Sequence, residues 1–193
     1  MKKRSAQSAV NEPLEQQRVV LAVPGARARA AECWKILAHA EILLIQFGIR
    51  SVRVELPPRF GAREAPVAIH HQAQRGARLW IVASPDEREA AALAAGAPDA
   101  PVVVRVPVVS GIVSRAKRAQ PLAALVSLQT SGAATAAFAT VALGEAGAKN
   151  AALLAVAILA AAGDDRLRSA LQAFRRDQTE AVLAMRLPDD TGS

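Results

Sequence analysis

Three histidines, one cysteine and a knot of carboxylates after the third apolar run are the side chains of this sequence best suited to moving a proton, attacking a carbon or holding a metal. His39 falls within one helical stretch, and His70 and His71 fall within another. In an alternating strand and helix chain such elements flank the sheet, so these histidines read as packing or surface residues. Neighbours one apart on a helix do not face each other, so the His70-His71 pair cannot converge on one metal ion. We therefore expect no metal or other cofactor. The single Cys33 cannot form an intramolecular disulfide, and it lies in an apolar-periodic stretch where a free cysteine behaves as a small hydrophobe. A reducing, cytoplasmic setting follows as the expectation. Asp86, Glu87 and Glu89 place negative charge just after a strand.

The scaffold for these groups is legible in the apolar pattern. Hydrophobic residues make up 52% of the 193, but aromatics only 3%, so Ala, Val, Leu and Ile must fill the core at close range. Residues 1–17 are polar and of mixed charge with no sustained period, which predicts a disordered basic tail. The domain is expected over 18–187, and 188–193 as a short tail. Val19 to Val23 predicts a first strand stopped by Pro24-Gly25, and a helix follows from Ala28 to Gln46 with Gly48 ending it. Strands are predicted at Ser51 to Leu56, Leu79 to Ala83, Val102 to Val106 and Thr140 to Leu143. Helices are predicted at Glu64 to Gln74, Glu87 to Ala95, Ala146 to Ala162 and Arg166 to Met185, whereas Gly111 to Ala136 stays ambiguous, with a basic patch at Arg115, Lys117 and Arg118. Short β-branched runs alternating with helices, joined by right-handed crossovers, predict an α/β fold. It is a three-layer α/β/α sandwich with a flavodoxin-like parallel five-stranded sheet. A ligand would then sit outside the carboxyl ends of the strands.

Two function classes are tested by composition. The Ala-rich stretch from Ala133 to Ala162 is interrupted by Glu145, Lys149 and Asn150, and the run from Ala151 to Ala162 falls short of the ~20 residues that cross a bilayer. It reads as a helix buried in protein, so no membrane partner is expected. The net charge of +7 and the isoelectric point near 10.7 raise nucleic acid as a partner. The arginines are scattered, Arg18, Arg53, Arg75 and Arg105 among them, with no aromatic interleaving for base stacking, so a solvated basic surface is the expectation.

Thr140 to Leu159 (TVALGEAGAKNAALLAVAIL) and Phe174 to Met185 (FRRDQTEAVLAM), with Phe47-Gly48-Ile49, Gln74-Arg75-Gly76 and Val106-Pro107-Val108 upstream in order, resemble the PurE family of carboxyaminoimidazole ribonucleotide mutases. The resemblance runs over nearly the whole length. It implies purine biosynthesis, a nucleotide ligand and an octameric assembly. The family's first loop reads Gly-Ser-x-Ser-Asp and holds phosphate and ribose. Here Pro24 to Arg29 (PGARAR) keeps Gly25 alone, with Arg27 as a cation able to meet a phosphate. The second loop, Ser-Ala-His-Arg-Thr-Pro, carries the proton-shuttling histidine. Leu56 to Gly61 (LPPRFG) puts Pro58 in its place and keeps Arg59. The third loop becomes Ser84 to Glu89 (SPDERE), a capping-type helix start with Ser84 and Glu87 three apart, whose carboxylates oppose an anionic substrate. A fourth segment, Gln129 to Phe138, also departs.

A missing general acid/base forfeits ~10²–10⁴ in rate. The reading is thus a non-catalytic structural or regulatory homologue with no catalytic residue and a vestigial ligand site at Gly25, Arg27, Arg59 and Ser84. An active mutase or related carboxylase with a remodelled site is the alternative, and a nucleic-acid-associated basic protein the third reading. The expected partner is a second copy of the chain or an intact PurE relative. A helix apolar all round needs cover on every side, which nominates Ala151, Leu154, Ala155, Phe174 and Val182 as contacts between subunits.

Overall fold

The computed structural model describes residues 18–25, 27–85, 87–95, 101–108 and 138–185. The expected disordered tails at 1–17 and 188–193, the basic patch at Arg115 to Arg118 and most of the segment Gln129 to Phe138 lie outside these residues.

The first strand, β1 (Val19–Pro24), is buried along its whole length. A parallel strand covered on both faces must be apolar at every position, which Val19-Val20-Leu21-Ala22-Val23 satisfies. α1 (Arg27–Gln46) follows and puts Cys33, Leu37, Ala40, Leu43 and Leu44 into the core. Its end is closed by two backbone bonds, Gly48 N–H to Ile45 O at 2.8 Å and Ile49 N–H to Leu44 O at 2.9 Å. The φ of +68° that this requires at Gly48 is why a glycine stands there. β2 (Ser51–Leu56), α2 (Ala65–Ala73), β3 (Leu79–Ser84), α3 (Arg88–Ala95) and β4 (Val102–Pro107) come next, each within two residues of the expected bounds.

β5 is shorter than expected. It spans only Ala139–Thr140, although Val141 N–H still reaches Arg105 O at 3.0 Å. The chain then turns off through Gly144, at φ +66°, into α4 (Gly144–Ala161), so the apolar residues to Leu143 lead into the helix instead of lengthening the strand. α5 (Asp165–Leu183) completes the described elements. All strand pairs are parallel, in the order β2-β1-β3-β4-β5. This is a flavodoxin-like α/β sandwich, as the alternation of elements requires.

Alternation along β1 divides the core. Val19, Leu21 and Val23 join the cluster under α1, α4 and α5, while Val20 and Ala22 join that under α2 and α3. α1 and α4 make the most extensive helix contact, and the alanines on their shared face permit it. α4 is the one described helix long and apolar enough to cross a membrane by length and composition, and eight of its residues are buried, as a core helix requires.

Candidate functional site

β1 and β3 are neighbours, but their outgoing connections lead to opposite sides: β1 continues to β2, and β3 to β4. Their carboxyl ends therefore frame the crevice where this architecture places ligands. Gly25 and Ser84 both lie there. Gly25 is pressed onto the end of β2: a Cβ at this position would overlap the carbonyl oxygen of Leu56. The glycine is required by a close backbone approach, and that approach takes up space beside the first loop.

Ser84 is wholly buried, and its hydroxyl donates to Glu89 Oε2 at 2.7 Å. The sequence reading had Ser84 opening a capping arrangement with Glu87. Ser84 instead remains the last residue of β3, and α3 begins only at Arg88, so the carboxylate within its reach is Glu89 in the first turn. A phosphate at this hydroxyl would have to displace a carboxylate and then sit beside it. The same negative charge is felt by Cys33. Its thiol is pushed up to about 11, first by burial, then by Glu32 and Glu89, with Arg29 opposing. At neutral pH it is a protonated thiol, poor as a nucleophile.

Arg59 is exposed in the turn after β2, next to the likewise exposed Pro57 and Pro58, and the side chain of Arg27 lies outside the described residues. The structure thus brings Gly25 and Ser84 to one end of adjacent strands and leaves Arg59 at the surface. None of the three histidines lies in the loops that follow β1, β2 or β3: His39 is on α1, and His70 and His71 are on α2. His39 Nδ1 lies 3.4 Å from Glu145 on the outer side of α1 and α4, and the Glu145 carboxyl is held low by the hydrogen bond from Lys149 and then by the charge of His39. His70 pairs with Gln74 at 2.9 Å, and His71 Nδ1 with Gln72 at 3.2 Å. Among the described residues no three metal-ligating side chains converge.

The expected subunit contacts divide. Ala151 and Ala155 are completely buried within the single chain, because α1 and the sheet already cover that face of α4. They are not available to a second copy, and their nomination as subunit contacts is corrected: the face of α4 beyond the sheet is covered by α1 of the same chain. Leu154 is half-buried. Phe174 is half-buried against Phe47, with ring centroids 5.6 Å apart, and Val182 is 62% exposed.

Two polar residues escaped the sequence reading. Arg105, counted among scattered surface cations, is wholly buried in β4. Its position in the middle of Val102-Val103-Val104-Arg105-Val106 was the available signal, since an inner strand has no exposed face. Gln72 is 7% exposed, and the helical phase of Ala65, Ile69 and Gln72 on α2 marks it as inward-facing. No family model matches the chain, and neither does any curated protein.

Proposed function

We propose that the protein is a PurE-like homologue related to de novo purine synthesis that has kept the scaffold without the chemistry and serves as a cytoplasmic structural or regulatory subunit. The observation that carries the reading is Pro58, a residue with no titratable group, at the position where the resemblance puts the proton-shuttling histidine. The crevice supports it: Gly25 is closed onto Leu56, and the Ser84 hydroxyl is engaged by a carboxylate. Fold alone carries no function, so the weight rests on these positions and on the ordered motif matches.

Assembly is the activity left to such a protein. The half-buried Leu154 and Phe174 and the exposed Val182 offer a surface that a second copy, in an octamer as the resemblance implies, or an intact relative would cover. The deciding experiment incubates the purified protein with carboxyaminoimidazole ribonucleotide and follows its absorbance. Loss at no more than the spontaneous rate is expected. Faster conversion establishes the alternative, a working enzyme with a remodelled site.

A further inference from the structure

Arginines that look scattered along the sequence are gathered by the topology. In a wholly parallel sheet every strand begins at the same edge, and the adjacent strands β2, β1 and β3 are each preceded by an arginine: Arg50, Arg18 and Arg78. Register keeps the three level, because Val19 pairs with both Ser51 and Leu79. With neighbouring strands about 4.8 Å apart, the backbones that carry them lie within about 10 Å. Arg75 joins them from the turn between α2 and β3. Arg166 and Arg168 come from the first turn of α5, which Arg18 ties to this edge through Asp164 at 2.6 Å. Arg18 and Arg78 line one cavity of about 440 Å³ together with Gly76 and Gly163. Arg166 donates to the carbonyl oxygen of Phe47 at 3.2 Å, just before Arg50 in the chain.

The carboxylates here are fewer and already engaged. Asp164 holds Arg18 and accepts from Leu167 N–H at 3.1 Å, and Asp165 pairs with Arg168 at 2.6 Å. Arg75, Arg78 and Arg166 make no ion pair among the described residues, and all three are exposed, as is Arg50. Even with Glu15 and Asp99, the acidic residues nearest in sequence to the starts of β1 and β4, the tally is four carboxylates to six guanidinium groups. Like charges crowded on one edge repel, and an anion placed there offsets the repulsion. Every cation is an arginine, whose planar fork meets phosphate oxygens two at a time. The aromatic rings beside the edge, Phe47 and Phe174, pack on each other with centroids 5.6 Å apart, which leaves little to stack on unpaired bases. A duplex carries one charge per about 1.7 Å of its axis, so a row of this length meets several phosphates in any register.

We propose that the edge of the sheet where the strands begin is a docking surface for the phosphate backbone of duplex nucleic acid, held by Arg50, Arg75, Arg78 and Arg166 without base readout. The surface is independent of the purine-synthesis reading, whose positions lie at the opposite, carboxyl ends of the strands.

A short fluorescein-labelled DNA duplex is titrated with the full-length protein, and anisotropy is read across a salt series. Saturable binding is expected, with log K falling against log salt at a slope of about −3.5, as four phosphate contacts require. Arg75→Glu with Arg78→Glu should weaken binding at least about tenfold at about 0.1 M salt and reduce the slope by about 2. Arg29→Glu with Arg63→Glu changes the net charge equally at the opposite edge, more than a screening length away, and should leave the affinity within about twofold. All four positions are exposed, and circular dichroism checks each fold. Should the charge reversals disturb it, Arg75→Gln with Arg78→Gln should lower the slope by the same amount. The unpaired strand and phosphatidylglycerol vesicles are run alongside. Absence of duplex binding, with or without binding to the vesicles, overturns the proposal. So do equal losses in the two charge-reversed proteins, binding that the edge substitutions leave intact, and tighter binding to the single strand than to the duplex.

Discussion

The carbonyl oxygen of Leu56 occupies the space that a side chain on Gly25 would need. Gly25 is thereby fixed by packing between the ends of β1 and β2. Gly25→Ala must push the end of β2 or the start of α1 outward, an overpacking change of about 1–3 kcal/mol. Urea denaturation followed by circular dichroism should show the midpoint falling by a corresponding amount. A midpoint equal to that of the parent would mean the loop yields freely, and the crevice would then be more open than the structure has it.

Asp164 ties the start of α5 to the start of β1. Its Oδ1 accepts from Leu167 N–H at 3.1 Å, and its Oδ2 from Arg18 at 2.6 Å. The hydrogen bond from Leu167 holds the carboxyl below the usual carboxylate range, partial desolvation works against this, and Arg18 adds to it. With the folded value below the unfolded one of about 3.9, the contribution to stability is complete above that value and is lost as pH falls through it towards the folded value. Asp164→Ala should cost about 0.5–2 kcal/mol at pH 7 from the lost cap. Asp164→Asn, which keeps an accepting oxygen, should cost less and should flatten the acid limb of the stability profile. An unchanged acid limb in Asp164→Asn would remove Asp164 from the account.

The order of elements was readable because each of β1 to β4 contains a β-branched run closed by proline, glycine or a polar turn, and the helices repeat apolar residues at three and four; β5, only Ala139–Thr140, carries no such run. What the sequence could not carry was which faces meet. Ala151 and Ala155 have the same composition whether α1 or a second subunit covers them, and only the close α1 and α4 contact decides for α1. In the turn after β2, Pro58 was legible as a residue with no titratable group. The Ser84 and Glu89 pair was not, because it depends on α3 beginning at Arg88, and helix starts shift by a residue or two without changing any pattern. Arg105 and Gln72 carried a signal in their phase, but polarity argued against burial at both positions.

Cys33 is 1% exposed, and its thiol is raised to about 11 by burial and by the carboxylates near it. Only the thiolate attacks a disulfide reagent, so the native protein at pH 8 should react with 5,5′-dithiobis(2-nitrobenzoate) far more slowly than the urea-unfolded chain, by at least about a hundredfold from the thiolate fraction alone. Raising the pH from 8 to 10 should quicken the native rate by about tenfold per unit, whereas the unfolded chain, with its thiol near 8.5, should level off around pH 9. Prompt native labelling at pH 8 would show that the head of α1 opens and would reinstate Cys33 as a chemical group.

The surface left for a second subunit is the outer part of α5. Leu167 and Leu171 are buried and Phe174 packs on Phe47, but every described residue from Arg175 to Met185 is exposed. Val182, Leu183 and Met185 are 62%, 79% and 72% exposed on a stretch that touches little of its own chain. Three turns of helix without tertiary cover are marginal in water, so packing from elsewhere should hold this one. Leu154 on α4, half-buried, lies on the helix against which α5 packs. Static light scattering should therefore give a mass that is a multiple of the 20.2 kDa chain. Val182→Asp and Leu154→Arg should each lower it, because either charge would be stripped of water at the contact. The two variants should keep the far-ultraviolet spectrum of the parent, since one site is exposed and the other half-buried. A parent mass equal to a single chain would leave the last turns of α5 without a partner and would take the subunit role with it.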